Sequence, residues 1–343
     1  MYAGAMPPLI EPLGLLQPAD AARAVAAGIA LPLAGDLGSF TLARALDPPG
    51  PPARATGAPA AWQDALRRLG APVPPWAGLP PGPAVMGIVN VTPDSFSDGG
   101  DRLDPVRAVE AGLAMAAAGA ALVDVGGEST RPGSRPTPPE LERERVLPVV
   151  AALARARVTV SIDTRNAETM ATALDAGAAI VNDVSGLAHD PAAAALLAQR
   201  DCPVILMHTR GTPETMGGLA TYTDVAAEVA SELSDRVAAA MAAGIAAERI
   251  ALDPGIGFAK TAEQNAELLR RLPVLLQLGR PILAGVSRKG FIGRLSGEAE
   301  ARRRGAGSLA AALLALSRGA TLLRVHDVAD TVQAVRVWQG LRA

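Results

Sequence analysis

Polar side chains follow a series of short apolar runs along most of the chain. The first polar residues after these runs are Asn90, Asp124, Asp163, Asn182, Asp183, His208, Asp253, Ser287, Arg288, Lys289, Arg324 and His326. Carboxylates and amides can pair with the donors and acceptors of a polar heterocycle. Arg, Lys and His side chains can bind an anion. The set therefore predicts a site for a polar ring that carries an anionic group.

Single members of this set also have structural interpretations, such as a helix cap or a strand-end hydrogen bond. His208 stays open between lining a site and such a hydrogen bond, and His189, in the turn 187–191, is predicted to be structural. His326 lies two residues after Arg324, so both should face the same side of a strand. An Arg and a His on the same side of a strand are suited to bind phosphate, which favours a functional role for this pair.

A second signal is the loop TPDSFSDGG at 92–100, which follows the apolar run 85–89 and Asn90-Val91. Its small polar residues contribute little to a core, and such loops at strand ends commonly close over a ligand. The chain has only four Phe residues, and two of them, Phe96 and Phe258, lie in loops beside the polar set. They could form walls for a flat ligand or anchor the loops to the rest of the fold.

The elements that must position these residues are eight apolar runs separated by Ala-, Leu- and Glu-rich stretches with helical spacing. The runs are 85–91, 121–125, 158–162, 179–181, 204–207, 250–252, 282–286 and 321–325. Strands that are apolar along their whole length are typical of a parallel sheet covered on both faces. Eight of them predict an α/β fold of the (β/α)8 TIM-barrel type, with the active site at the carboxyl ends of the strands. A doubly wound sheet is the alternative.

A weak internal repeat supports the barrel. Three glycines suited to ending a helix each precede an apolar strand, and a polar residue follows five positions later. These polar residues are Asp124, Asn182 and Arg324. We therefore expect the three side chains to occupy equivalent positions on their strands.

Residues 1–83 are predicted to be an N-terminal Pro/Ala-rich extension of unassigned role, followed by the barrel at 84–343. Pro- and Gly-rich clusters at 48–52 and 80–83 bracket a short predicted helix at 60–69, and a strand is expected around 39–42. The extension carries no chemical motif that we can assign.

Composition excludes several function classes. A net charge of −2 provides no basic field for nucleic acid or an anionic membrane. The single cysteine, Cys202, excludes an internal disulfide and a Cys-based zinc site, and we expect it to be buried. No segment has the pattern of a signal peptide or a bilayer span, so the sequence predicts a cytoplasmic protein.

Together these segments resemble the dihydropteroate synthase family, over about residues 84–340. The most specific segments are MGIVN at 86–90 with the loop to Gly100, and DVGGESTRPG at 124–133. Weaker matches occur in order at 182–186, 207–208, 211–213, 253–255, 287–289 and 324–328. The resemblance implies condensation of 6-hydroxymethyl-7,8-dihydropterin diphosphate with p-aminobenzoate, giving 7,8-dihydropteroate and pyrophosphate in folate biosynthesis.

The resemblance also implies roles for individual residues. The pterin would be held by Asp163, Asn182, Met207, Asp253 and Lys289. The diphosphate would be bound by Asn90, Arg324 and His326, with Mg²⁺ bridging its oxygens and Asn90. The p-aminobenzoate pocket would be formed by Thr130, Arg131, Pro132, Phe258, Ser287 and Lys289, together with Phe96 and Asp98 of the first loop. The residues expected to act in catalysis are Asp98, Lys289, Arg324 and His326.

A homodimer is expected from the resemblance alone. Two alternatives stay open, a methyltetrahydrofolate-dependent methyltransferase and a catalytically silent pterin-binding paralogue. The sequence departs from the family pattern at Ala259, where a Gly is usual, and at Gln264, where a His is frequent. It does not reveal kinetics, sulfonamide sensitivity, or the roles of Asp124 and His208.

Overall fold

A computed structural model describes residues 8–92, 105–130 and 133–342 of the chain. The first part of the chain forms a small antiparallel sheet of β1 (Ile10–Leu16), β2 (Leu31–Leu33), β3 (Gly38–Ala45) and β4 (Ala53–Arg54). Strand β3 pairs with each of the other three. Two helices, Pro18–Ala26 and Gln63–Gly70, accompany the sheet. The strand and the helix predicted in this part are confirmed, although the sheet as a whole was not predicted.

The second part is an eight-stranded parallel barrel. Its strands are β5 (Ala84–Asn90), β6 (Leu122–Gly126), β7 (Val160–Asp163), β8 (Ile180–Asp183), β9 (Val204–Met207), β10 (Ile250–Asp253), β11 (Leu283–Ala284) and β12 (Leu322–Val325). The order is β10-β9-β8-β7-β6-β5-β12-β11, and a bridge between Leu252 and Ile282 joins β10 to β11. All eight predicted strands are confirmed. A doubly wound sheet is excluded because the two end strands meet.

Helices follow most strands and cover the outside of the barrel. They are Pro105–Ala117, Pro139–Arg155, Ala167–Asp175, Ala193–Gln199, Val225–Ala242, Ala262–Arg270, Gly290–Ser296, Gly305–Ser317 and Val328–Gly340. Local capping defines two of their starts: Asp224 accepts a hydrogen bond from Ala227 N, and Thr261 forms a capping box with Gln264. Gln264 therefore has a structural role at the position where the family often has a His. None of the described helices combines the length and apolar character needed to cross a bilayer.

Side-chain alternation along the strands positions the site. One apolar layer inside the barrel consists of Met86, Leu122, Ile180, Ile205, Ala251, Leu283 and Leu322. Because strand side chains alternate with a period of two, the residues two positions further on face the same interior. These include Asp124, Asn182, Met207, Asp253 and Arg324, and Asn90 lies in the same phase, four positions after Met86. The polar layer therefore lies above an apolar one, towards the carboxyl ends of the strands.

The N-terminal sheet is joined to the rest of the chain by specific contacts. The Gln277 side chain accepts from Ile10 N and donates to Ile10 O, at 3.0 and 3.1 Å. Glu11 forms a 2.7 Å ion pair with Arg271, and both side chains are largely buried. Trp76 packs on the apolar interior layer and donates its indole N–H to Arg249 O at 2.8 Å. Arg249 immediately precedes β10, so Trp76 closes the end of the barrel opposite the polar layer. The predicted division at residue 83 stays a prediction.

Candidate functional site

Three strand-end side chains meet at one carboxylate. Asp124 Oδ2 accepts hydrogen bonds from Asn182 Nδ2 at 3.0 Å and from Arg324 Nε at 2.6 Å. This contact confirms the equivalent placement predicted from the internal repeat. The other oxygen, Asp124 Oδ1, is buried and finds no hydrogen-bond partner within the described residues. Since an unsatisfied buried carboxylate oxygen is costly, this atom is suited to accept from a ligand or a water molecule.

Arg324 lies between two carboxylates. Besides Asp124 it binds Asp163, with Nη2 at 2.6 Å from Oδ2. Burial opposes the charge on Arg324, but Asp124 and Asp163 outweigh it and raise the pKa of the guanidinium. Burial also raises the pKa of Asp163 to about 7, although Arg324 acts in the opposite direction. A guanidinium has five N–H donors, so Arg324 retains donors for an anion while it holds both carboxylates.

Asp253 and Lys289 form a second polar edge of the site. Asp253 Oδ1 accepts from Gly255 N at 2.7 Å, and burial raises the pKa of its carboxyl. Burial lowers the pKa of Lys289 to about 8, against the attraction of Asp253. The Lys289 ammonium lies 4.1 Å from the centroid of the Phe258 ring. The predicted pterin and p-aminobenzoate residues are thus adjacent at this edge.

Ser287 and His326 form a hydrogen-bonded pair. Ser287 Oγ accepts from His326 N at 3.2 Å and lies 3.0 Å from His326 Nδ1. Burial, reinforced by Arg288 and Arg324, lowers the pKa of His326 to about 4. The imidazole is therefore neutral at pH 7. It offers a ring N–H as donor to an anion, while Arg324 and Lys289 carry positive charge close to it.

The other predicted residues are placed as follows. Asn90 ends β5 opposite Gly126, and Met207 is buried at the end of β9, paired in register with Asp253. Thr130 lies four residues after the end of β6. Phe96, Asp98, Arg131 and Pro132 lie outside the described residues.

One member of the strand-end set, Asp183, has a structural role. The Asp183 carboxylate accepts from Ser185 N at 2.7 Å and Leu187 N at 3.0 Å, and so stabilises the turn after β8. Asp183 was included among the ligand-binding candidates, and the structure corrects this: its carboxylate stabilises a turn instead. His189 is exposed in that same loop, as its sequence context predicts. Cys202 is buried, also as predicted.

His208 belongs to a network that the sequence does not reveal. His208 Nε2 lies 3.1 Å from Glu232 Oε2, and His208 Nδ1 lies 3.0 Å from Lys260 Nζ. Glu232 also accepts from Arg210 Nε at 3.0 Å. Lys260 and Glu232 are separated from His208 by 52 and 24 positions. Their types and spacing carried no signal that could have grouped them.

Within the part of the chain that the structure describes, carboxylates are not grouped so as to bind a divalent cation by themselves. Within residues 8–92, 105–130 and 133–342, no group of three or more His, Cys, Asp or Glu side chains could hold a metal ion. The Asn90 amide oxygen at the end of β5 is a suitable single protein ligand. Mg²⁺ prefers oxygen ligands and usually keeps several waters or substrate phosphates. The residues present therefore fit a cation that arrives with a diphosphate.

Comparisons with known proteins agree with this chemistry. A family described as "Pterin binding enzyme" matches residues 86–326. A dihydropteroate synthase from Synechocystis sp. is 45% identical over 258 residues, which cover 75% of this chain and 89% of that protein. The solved structure of Xanthomonas albilineans dihydropteroate synthase with 4-aminobenzoic acid has a TM-score of 0.73 and 49% identity, covering 77% of this chain and 94% of that one. Its complex with 7,8-dihydropteroate has a TM-score of 0.70 and 47% identity, covering 77% and 95%.

Proposed function

Because the chain belongs to the pterin-binding enzymes, and among them to the dihydropteroate synthases, we propose that it makes 7,8-dihydropteroate. Its substrates are 6-hydroxymethyl-7,8-dihydropterin diphosphate and p-aminobenzoate, and the second product is pyrophosphate. The observation that carries the proposal is the Asp124–Asn182–Arg324–Asp163 network beside Asp253 and Lys289.

The buried polar layer suits a pterin ring. A pterin presents donors and acceptors along its edges, and the carboxylates of Asp163 and Asp253 accept from N–H groups. The Asn182 amide can do both, and the Lys289 ammonium donates to a ring carbonyl or nitrogen. Each of these residues lies at or just beyond the carboxyl end of a strand, so a rigid framework positions it.

The reaction breaks the bond between the pterin methylene carbon and the diphosphate oxygen. The bonding electron pair leaves with pyrophosphate, and the arylamine nitrogen then forms the new bond to the methylene carbon. We propose that this loss is dissociative, since the electron-rich pterin can delocalise the developing cation. Arg324 and the neutral His326 ring N–H stabilise the negative charge that develops on the leaving group.

The arylamine is neutral and nucleophilic at pH 7, so it needs no strongly activated base. It must lose one proton as the new bond forms, and Asp98 remains our prediction for its acceptor. The aromatic ring of p-aminobenzoate is proposed to lie against Phe258, between Ser287 and Thr130, with Phe96, Arg131 and Pro132 completing the pocket. The proximity of Phe258 to Lys289 supports this arrangement.

We further propose that Asn90 holds Mg²⁺ together with the diphosphate oxygens and water. When bound, the ion would neutralise part of the diphosphate charge. A homodimer, expected from the family resemblance, and a cytoplasmic location, expected from the sequence, also stay proposals. Analytical ultracentrifugation and cell fractionation test these two.

The test is pyrophosphate release by the purified protein, with the pterin diphosphate, p-aminobenzoate and Mg²⁺ supplied or omitted in turn. Release that needs both substrates, accompanied by dihydropteroate and blocked by a sulfonamide, supports the proposal. Asn182→Ala should abolish turnover, whereas His189→Ala, an exposed residue of the neighbouring loop, should leave it unchanged. Pterin binding without release would contradict the proposal and favour the silent paralogue or the methyltransferase, which a methyl-transfer assay would separate.

A further inference from the structure

The loop that follows β10 curls around a buried ammonium group. This β10 loop, residues 254–261, carries Phe258, whose ring contacts Lys289. Lys260 Nζ lies 3.0 Å from each of three acceptors: Gly255 O, Phe258 O and His208 Nδ1. An ammonium has three N–H donors, so these contacts use all of them. Neither Lys260 nor His208 has a role in the chemistry proposed above.

The protonation states around Lys260 are mutually consistent. Burial opposes ionisation of Glu232, but hydrogen bonds from His208 and Arg210 lower the pKa of that carboxyl to about 2. Glu232 is therefore an anion and accepts the Nε2–H of His208 at 3.1 Å. Burial lowers the pKa of His208, which keeps the ring neutral. Burial lowers the pKa of Lys260 to about 7, so its three-donor ammonium is the main form below that pH. In that form Nζ donates a hydrogen bond to His208 Nδ1, which is the acceptor nitrogen of the neutral ring.

The backbone of the β10 loop needs this support because its conformation is unfavourable by itself. Gly255 has a φ of 67°, and a Cβ there would lie 1.9 Å from His208 O. Ala259 has a φ of 47°, a left-handed value that is costly for a residue with a Cβ. Without the ammonium, the Phe258 carbonyl would lose its donor and the Gly255 carbonyl would keep only the bond from Phe258 N at 3.1 Å, which costs free energy.

We propose that Lys260 is a positioning residue: its ammonium holds the β10 loop in the curve that presents Phe258 to the aromatic substrate. The inference rests on the proposed function and extends it to a residue that contacts neither substrate. Asp253 depends less on Lys260, because it lies within β10 and its backbone pairs with β9. Loss of the ammonium should therefore affect the p-aminobenzoate half of the site more than the pterin half.

The experiment compares three variants with the wild-type enzyme. Lys260→Met keeps an unbranched apolar stem and removes the three donors. We expect its KM for p-aminobenzoate to rise by roughly tenfold or more, with a much smaller change in the dissociation constant of the pterin. The two His208 variants form a matched pair. In His208→Asn the amide can place an acceptor near the position of Nδ1, so this variant should resemble wild type. In His208→Gln the amide reaches only the position of Nε2, so this variant should resemble Lys260→Met.

Nitrogen-15 NMR of the three His side chains provides a readout that does not depend on activity. His208 should be protonated at Nε2, with an Nδ1 signal that is shifted by hydrogen bonding and that moves in Lys260→Met. A His208 protonated at Nδ1, or equal losses for both substrates in Lys260→Met, would overturn the inference. If the wild-type protein forms no dihydropteroate, the proposed function fails. The His208 spectrum then decides separately whether Lys260 bridges the two loops.

Discussion

Arg324 Nε and Asp124 Oδ2 lie 2.6 Å apart, although their residues are 200 positions apart in the chain. The contact joins β12 to β6 across the interior of the barrel. It also gives the polar layer an unusual charge arrangement, because the cation expected to bind a diphosphate is held by Asp124 and Asp163. Anion binding must therefore use the remaining donors of Arg324 or rearrange these ion pairs.

The shared carboxylate of Asp124 should orient Asn182 and Arg324 for the pterin. Asp124→Ala removes the acceptor from both donors, and hydrogen bonds to charged groups are worth about 1.5–3 kcal/mol. We expect pterin affinity to fall by at least about tenfold, measured by titration calorimetry. Asp124→Asn can still present one oxygen to both donors and should bind the pterin more tightly than the Ala variant. Equal affinities for the two variants would show that the hydrogen bonds of Asp124 do not orient the site.

Pterin binding should depend on pH through Asp163 and Lys289. Asp163, with a pKa raised by burial to about 7, is protonated below that pH and then accepts fewer hydrogen bonds from the ring. Lys289, with a pKa lowered by burial to about 8, loses its proton and its charge above that pH. Affinity should therefore be greatest between these values and fall on both sides. Calorimetry across this range, in buffers of different ionisation enthalpy, should also detect proton release near pH 7. In Asp163→Asn, pterin affinity should no longer fall as the pH drops below about 7. If affinity still falls there, a group other than Asp163 is responsible.

Two substitutions in the β10 loop should have opposite outcomes. Gly255→Ala places a Cβ 1.9 Å from His208 O at a φ of 67°, so the loop cannot keep its conformation. We expect a lower free energy of unfolding. Pterin binding should also weaken, because Gly255 N donates to the Asp253 carboxylate at 2.7 Å, a contact that Lys260 does not make. Ala259→Gly removes the cost of holding a residue with a Cβ in the left-handed conformation, about 1–2 kcal/mol. Against this, Gly loses more conformational entropy on folding, which costs about 0.5–1 kcal/mol. The net change should lie between neutral and about 1.5 kcal/mol of stabilisation. Urea unfolding measures the free energy of unfolding of both variants. A lower value for Ala259→Gly than for wild type would contradict the left-handed backbone conformation at residue 259.

Trp76 should contribute strongly to the stability of the barrel. Its side chain is 5% exposed and packs on the apolar interior layer, at the end opposite the polar site. Trp76→Ala should cost about 3–5 kcal/mol in the free energy of unfolding. Ile29→Ala, at an N-terminal position that is 61% exposed, is the control and should change it by no more than about 0.5 kcal/mol. Similar effects of the two substitutions would mean that the N-terminal part is only loosely associated with the barrel.

The sequence alone determined the parallel barrel, the order of its strands along the chain and the polar residues at their ends. These features could be predicted because burial on both faces and side-chain alternation are local properties of a strand. The repeat at Asp124, Asn182 and Arg324 even predicted residues that proved to be hydrogen-bonded. The four-stranded N-terminal sheet was mostly missed, because β2 and β4 have only three and two residues and β1 contains Pro12 and Gly14, which are disfavoured in strands.

Only the tertiary structure decided which strand-end residues meet and in which charge state. Asp183 resembles Asn182 in the sequence, yet adjacent strand residues face opposite sides, and Asp183 stabilises a turn outside the barrel interior. His208 and Lys260 became partners because two loops converge at the same end of the barrel. The neutral His326 and the ion-paired Arg324 likewise depend on burial and on neighbours from other strands. Such pairings follow from barrel closure, which brings together residues that are distant in the chain, and no local pattern records them.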